Sequence, residues 1–116
     1  MQFINIKAKD IVLTPVLKGY IEKKIGALEL FLKRWDSEGS VQVRVEVGRT
    51  TRHHNKGDVF RAEANITLPH ALLHAEDEDS DLHVAIDRVR DTLKREIQKY
   101  RDQKLRTTRE ARKKAQ

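Results

Sequence analysis

A chain of 116 residues, 38% hydrophobic and 36% charged, has the size of one domain with one core. No stretch approaches the ~20 apolar residues of a membrane span, there is no apolar signal core at the N-terminus, and the lack of cysteine excludes disulfides, thiol nucleophiles and Cys-ligated metal clusters. Lys and Arg exceed Asp and Glu by six, and residues 101–116, with seven basic and two acidic side chains, carry five of that surplus. A nearly neutral body with a basic tail suits a polyanion, either nucleic acid or an anionic membrane; the plainer reading is a solvated helix end. A cytoplasmic location is the simplest expectation.

Residues 2–9 read as a strand, with Ile4, Ile6 and Ala8 inward and Asn5, Lys7 and Lys9 outward. Thr14-Pro15 marks a helix start, a side-chain oxygen for the cap followed by proline at the first helical position. The helix is expected to run to about Trp35, with Leu17, Ile21, Leu28, Phe31, Leu32 and Trp35 on one side and Tyr20 at its edge. Lys24 falls almost within that apolar stripe, so it either snorkels out at the helix edge or points into a groove between helices.

Val41, Val43, Val45 and Val47 alternate with polar residues, as do Phe60, Ala62, Ala64, Ile66 and Leu68. Both stretches predict strands buried on one face and wet on the other. The wet faces are expected to pair Arg44 with Glu63 and Glu46 with Arg61. A polar hairpin tip, residues 49–57, joins them, and a short fourth strand is expected over 71–76. The acidic run Glu76, Asp77, Glu78, Asp79, Asp81 then leads to a second helix, with Ser80 as its expected cap. That helix carries Leu82, Ile86, Val89, Leu93, Ile97 and Tyr100 on one stripe. The helix is expected to run at least to Tyr100, with continuation into the tail left open; beyond Leu105 no stripe remains, so the expected division is a folded domain over 1–105 and a frayed or disordered basic tail over 106–116. The order β-α-β-β-β-α predicts an α+β fold, a four-stranded sheet with two helices on one face and an open, charged face opposite.

Candidate chemistry lies on the helices. With Leu82 at zero, His83, Arg90, Lys94 and Arg101 fall at roughly 80–120° and Arg88, Arg95 and Lys99 at roughly 220–260°, so both flanks of the apolar stripe are basic. Lys23 and Lys24 edge the first helix. If the helices pack together, these edges form a strip suited to phosphates and poor in sequence readout. The alternative is an ordinary solvated helix face. The open sheet face offers only Phe3 as a stacking ring, which argues against a single-strand platform.

Other chemistry is weakly supported. Asp77, Asp79 and Asp81 share the early spacing of a calcium loop, but Leu82 stands where glycine is needed and Arg88 where glutamate is needed. The five histidines, 53, 54, 70, 74 and 83, show no metal-binding spacing on a predicted helix, and His74 is expected on an edge strand. No phosphate-cradling glycine loop or nucleophile elbow occurs. The expectation is therefore a protein that is not an enzyme, with no cofactor, no metal and no small-molecule substrate.

Three segments carry a family resemblance: Leu13-Thr14-Pro15 leading into Tyr20-Ile21-Glu22-Lys23-Lys24-Ile25 and Leu28-Glu29; Arg61-Ala62-Glu63-Ala64-Asn65-Ile66; and Ala75-Glu76-Asp77-Glu78-Asp79-Ser80-Asp81-Leu82-His83-Val84-Ala85-Ile86-Asp87. In this order they make residues 1–101 resemble the bacterial ribosome hibernation promoting factors, including the ribosome-associated translation inhibitor. The resemblance implies a fold like that of double-stranded RNA-binding domains. It also implies binding to the small ribosomal subunit, where the basic helix sides face ribosomal RNA and occlude the path of mRNA and tRNA.

The family's second-helix pattern Lys-Leu-x-Arg-Gln-Leu-x-Lys-x-Lys is matched by Leu93, Arg95, Ile97, Lys99 and Arg101 and departed from at Thr92 and Glu96. Arg95, Lys99, Arg101 and Lys24 are thus carried over as RNA contacts, with Lys23, Arg88, Arg90 and Lys94 added from the helical arithmetic. Arg49, Arg52 and Lys56 of the long hairpin tip are further candidate contacts. The length implies the short form, without the second domain of long members, monomeric off the ribosome. The competing reading is a module for other double-stranded RNA.

Overall fold

The computed structural model describes residues 1–36, 39–50 and 57–114, with side chains through Arg106. The elements run β1 (Gln2–Lys9), α1 (Pro15–Gly26), α2 (Glu29–Leu32), a 3-10 turn (Lys33–Trp35), β2 (Gln42–Arg49), β3 (Phe60–Leu68), β4 (Ala71–Asp79) and α3 (Leu82–Lys114). The sheet order is β1-β2-β3-β4, with β1 and β2 parallel and the remaining pairs antiparallel. This is the expected α+β arrangement. The crossover that makes β1 parallel to β2 is the helical segment between them, which lies over the sheet face bearing the valines.

One core joins the layers. Val41, Val43, Val45, Val47, Ala62, Ala64, Ile66, Leu73 and Ala75 from the sheet meet Leu17, Ile21, Ile25, Leu28 and Leu32 from the first helical segment. Ala85, Ile86, Val89, Leu93, Ile97 and Tyr100 close it from α3. No buried polar side chain is left without a partner among the described residues. Tyr100 anchors α3 at its far end: its hydroxyl donates to the Pro69 carbonyl at 2.9 Å, and its ring meets Trp35 edge-on at 5.0 Å.

Several elements depart from the sequence expectation. The first helix does not run unbroken to Trp35. It ends at Gly26, and the chain tightens through a Leu28 N–H to Ile25 carbonyl bond before α2 begins. The jog brings Leu28 and Leu32 both into the core and leaves Phe31 40% exposed, although a straight helix puts Phe31 on the same stripe. In β1 the pairing slips between Phe3 and Asn5, so Phe3 packs inward and Ile4 is left 43% exposed, the reverse of simple alternation. The open face consequently loses its one candidate stacking ring.

The β2–β3 register sets Arg44 against Asn65, Glu46 against Glu63 and Gly48 against Arg61, two residues away from the expected charge pairing. Arg61 instead lies against Glu63 and Glu76. Moving a register by two keeps every side chain on its face, so the hydrophobic alternation is blind to it. Gly48 is fixed by contact rather than by conformation, because a Cβ there would lie 2.4 Å from the Lys9 carbonyl oxygen.

β4 extends through Asp79, taking most of the acidic run into the edge strand. Arg61 neutralises Glu76, and Arg88 reaches back from α3 to Asp79 at 3.1 Å and Asp77 at 3.9 Å. Charges on an edge strand also discourage pairing with another chain. The α3 cap is Asp81 rather than Ser80: the Asp81 carboxylate accepts the His83 N–H at 2.9 Å.

Finally, α3 runs from Leu82 through Lys114. Periodicity reports burial, not helicity. Between Leu82 and Lys114 no glycine or proline interrupts. At 1.5 Å per residue the 33-residue helix is about 50 Å long, and residues 101–106 are all exposed as it leaves the body.

Candidate nucleic-acid interface

The α1–α3 seam is held by a polar bridge. The Tyr20 hydroxyl donates to Asp87 Oδ1 at 2.7 Å, and the Tyr20 ring meets His83 edge-on at 4.5 Å. Burial between the helices, then the bond to Asp87, pushes the Tyr20 hydroxyl up to about 12. Because the flank of α3 bearing His83 and Asp87 faces α1, Arg90, Lys94 and Arg101 on the same flank follow the seam outward.

In two places along this seam a cation rests on a ring and has no carboxylate partner among the described residues. Lys24 is half-buried, and its Nζ lies 5.5 Å from the centre of the Tyr20 ring one turn earlier on α1. Lys94 Nζ lies 5.3 Å from the Phe31 ring, the ring that the jog between α1 and α2 exposes. A ring face orients an ammonium without cancelling its charge, so each cation is placed and still available to an anion. Lys104 Nζ lies 5.5 Å from the centre of the Tyr100 ring.

The remaining candidates divide by what they touch. Arg90 is bonded to its neighbour Asp91 at 3.0 Å and its side chain is 29% exposed. Arg95 is exposed and touches only the Thr92 hydroxyl among the described residues. Lys99, 76% exposed, sits 3.4 Å from Glu96, and Arg101 sits 3.9 Å from Asp102. Such exposed pairs are worth less than ~1 kcal/mol and exchange easily for phosphate. Lys23 is exposed on α1. Arg88 belongs elsewhere, since Asp77 and Asp79 hold it against β4. Arg49 lies at the end of β2, 3.7 Å from Asp58 and over Phe60, away from the seam. Arg52 and Lys56 lie outside the described residues.

Sequence arithmetic thus found the basic flanks of α3 but not which flank faces α1. It also missed the aromatic rests beneath Lys24 and Lys94. The i, i+4 spacing of Tyr20 and Lys24 was a visible signal for the first. The Phe31–Lys94 pair is a tertiary contact with no local signature.

A four-stranded sheet covered on one side by helices, with cations along the helix seam, defines a small α+β domain with an electropositive helical face. Residues 4–105 match the family model described as sigma 54 modulation protein / S30EA ribosomal protein, and the chain belongs to that family. It is 31% identical over 109 residues to the ribosome hibernation promotion factor of Lactococcus lactis, covering 92% of this chain and 54% of that one. It is also 31% identical over 106 residues to that of Bacillus subtilis, covering 91% and 52%. The chain therefore spans about half the length of the curated relatives it matches. Among solved structures it is similar to the Thermus thermophilus Protein Y N-terminal domain, with a TM-score of 0.69 and 27% identity over 86% of this chain and 99% of that one. A ribosomal subunit interface protein from Coxiella burnetii shares the fold, with a TM-score of 0.64, 19% identity, and coverage of 88% and 99%. No described helix is long and apolar enough to cross a membrane.

Proposed function

We propose that this chain is a ribosome hibernation factor that lodges in the decoding channel of the small ribosomal subunit and stops translation by occupying the path of mRNA and tRNA. The reading rests on the family together with one structural observation: Lys24 and Lys94, set on aromatic rings along the helix seam, with Arg95, Lys99 and Arg101 further along α3. Lys23 and Arg90 border the same surface. Backbone phosphates of folded RNA are the natural ligands, bound through charge and shape. The mechanism is steric and electrostatic and needs no catalysis. Free in the cytoplasm the protein acts as a monomer.

The open sheet face favours duplex or folded RNA over single strands, since Phe3 is turned into the core. This leaves one competitor, a module for other double-stranded RNA. Sedimentation through a sucrose gradient separates the two. The parent chain is expected to travel with small subunits, to resist excess free duplex RNA, and to halt translation in vitro. Replacing Arg95, Lys99 and Arg101 with Glu is expected to abolish co-sedimentation while unfolding stays cooperative. Undiminished co-sedimentation of that variant refutes the assigned surface, and displacement by duplex RNA favours the competitor.

A further inference from the structure

The sheet face opposite the helices carries a cluster that RNA binding does not use. Glu63 on β3 stands directly across from Glu76 on β4, and Asn65 directly across from His74. One donor atom from each of Glu63, His74 and Glu76 lies within 4.8 Å of the others. Glu63 is half-buried, and the other two are exposed.

The hydrogen bonds fix the histidine. Asn65 Nδ2 donates to Glu63 Oε1 at 3.4 Å, which turns the amide oxygen the other way. That oxygen, Asn65 Oδ1, lies 2.7 Å from His74 Nδ1 and can only accept, so Nδ1 carries the proton. In the neutral ring this hydrogen bond leaves the lone pair on Nε2, which lies 3.7 Å from Glu76 Oε2. An outer amide that orients a histidine for its other nitrogen is the second-layer arrangement of metal-binding histidines.

We propose that Glu63, His74 Nε2 and Glu76 form a site for a borderline divalent transition metal of the Zn2+ class. One imidazole nitrogen and two carboxylates suit such an ion, and three protein ligands leave a fourth position for water. Ca2+ and Mg2+ prefer more oxygen ligands than the cluster offers. The guanidinium of Arg61, which lies against both Glu63 and Glu76, is the resident cation. An incoming metal displaces it, so Arg61 sets the affinity by competition. The geometry comes from the β3–β4 register, so the site exists whether or not the helix face binds ribosomes.

Titration of the full chain with Zn2+ by calorimetry, and with Co2+ by visible absorption, tests this. The expected result is one saturable site in the parent, severalfold tighter in R61Q, and lost in H74A and in E63Q/E76Q. N65A keeps all three ligands and is expected to bind about 10–100-fold more weakly. It decides the matter should a ligand variant fail to fold. The H53A/H54A double variant is expected to bind like the parent. The proposal is overturned if neither the parent nor R61Q shows saturable binding up to millimolar metal, if binding survives H74A, or if H53A/H54A abolishes it.

Discussion

The two faces of this domain handle charge in opposite ways. On the open sheet face, Lys7, Lys9, Arg44 and Arg61 stand among Glu46, Glu63, Glu76 and Glu78, four charges of each sign set in cross-strand rows. Along α3 from Arg90 to Arg106 there are seven basic residues and three acidic ones. The sheet balances its charge within itself, whereas the helices hold theirs outward, partly on aromatic rings. A net charge of +6 therefore understates the helix face, because the sheet adds nothing to it.

The sharpest way to break this contrast is to reverse charges on each face in turn. K24E/K94E/R95E is expected to lose ribosome binding by orders of magnitude, while R44E on the sheet leaves it unchanged; quantitative co-sedimentation checks both. Equal losses would falsify the division of labour. The next effect concerns the core that both faces share. Leu93→Ala is expected to cost about 2–5 kcal/mol of stability in chemical denaturation, because Leu93 is fully buried between α3 and the sheet. A cost confined to a few tenths would mean that the layers are not joined there.

Gly48→Ala strikes the sheet alone. Its new methyl meets the Lys9 backbone, so roughly 1–3 kcal/mol of destabilisation is expected, with the cation seam intact. Unchanged stability would contradict the close approach of β1 to β2.

The smallest effect is at the seam. Tyr20→Phe removes the hydroxyl bond to Asp87 and is expected to cost about 1–2 kcal/mol. Tyr20 is expected to ionise near pH 12 rather than near 10. Its folded-state value is raised, so its contribution is fully present below pH 10 and is lost as pH rises through about 12. An ultraviolet titration with a folded-state Tyr20 at the ordinary tyrosine value would refute the bridge.

Much of the fold was legible because alternation and helical spacing report burial. The valines of β2, the alternation of β3 and the stripe from Ile86 to Tyr100 all lie where those patterns put them. What escaped is what burial does not encode. The Phe3/Asn5 slip, the two-residue β2–β3 offset and the jog after Gly26 are set by backbone pairing and packing. The acidic run read as a helix prelude because its cation, Arg88, comes from another element.

The candidate surface was legible in part for the same reason. Spacing marked Arg90, Lys94, Arg95, Lys99 and Arg101 as flanking residues, but the helix pairing decides which of them share the seam with Lys24. The aromatic supports of Lys24 and Lys94 became visible only with the fold.

The most direct measurement is the salt dependence of binding to purified small subunits for the parent, the Arg95, Lys99 and Arg101→Ala variant, and R44E. The parent and R44E are expected to share one steep slope of log affinity against log salt. The triple variant is expected to show a slope lower by roughly 2–3, about one for each phosphate contact removed. Identical slopes for all three proteins would contradict the claim that the helix face is where this chain meets RNA.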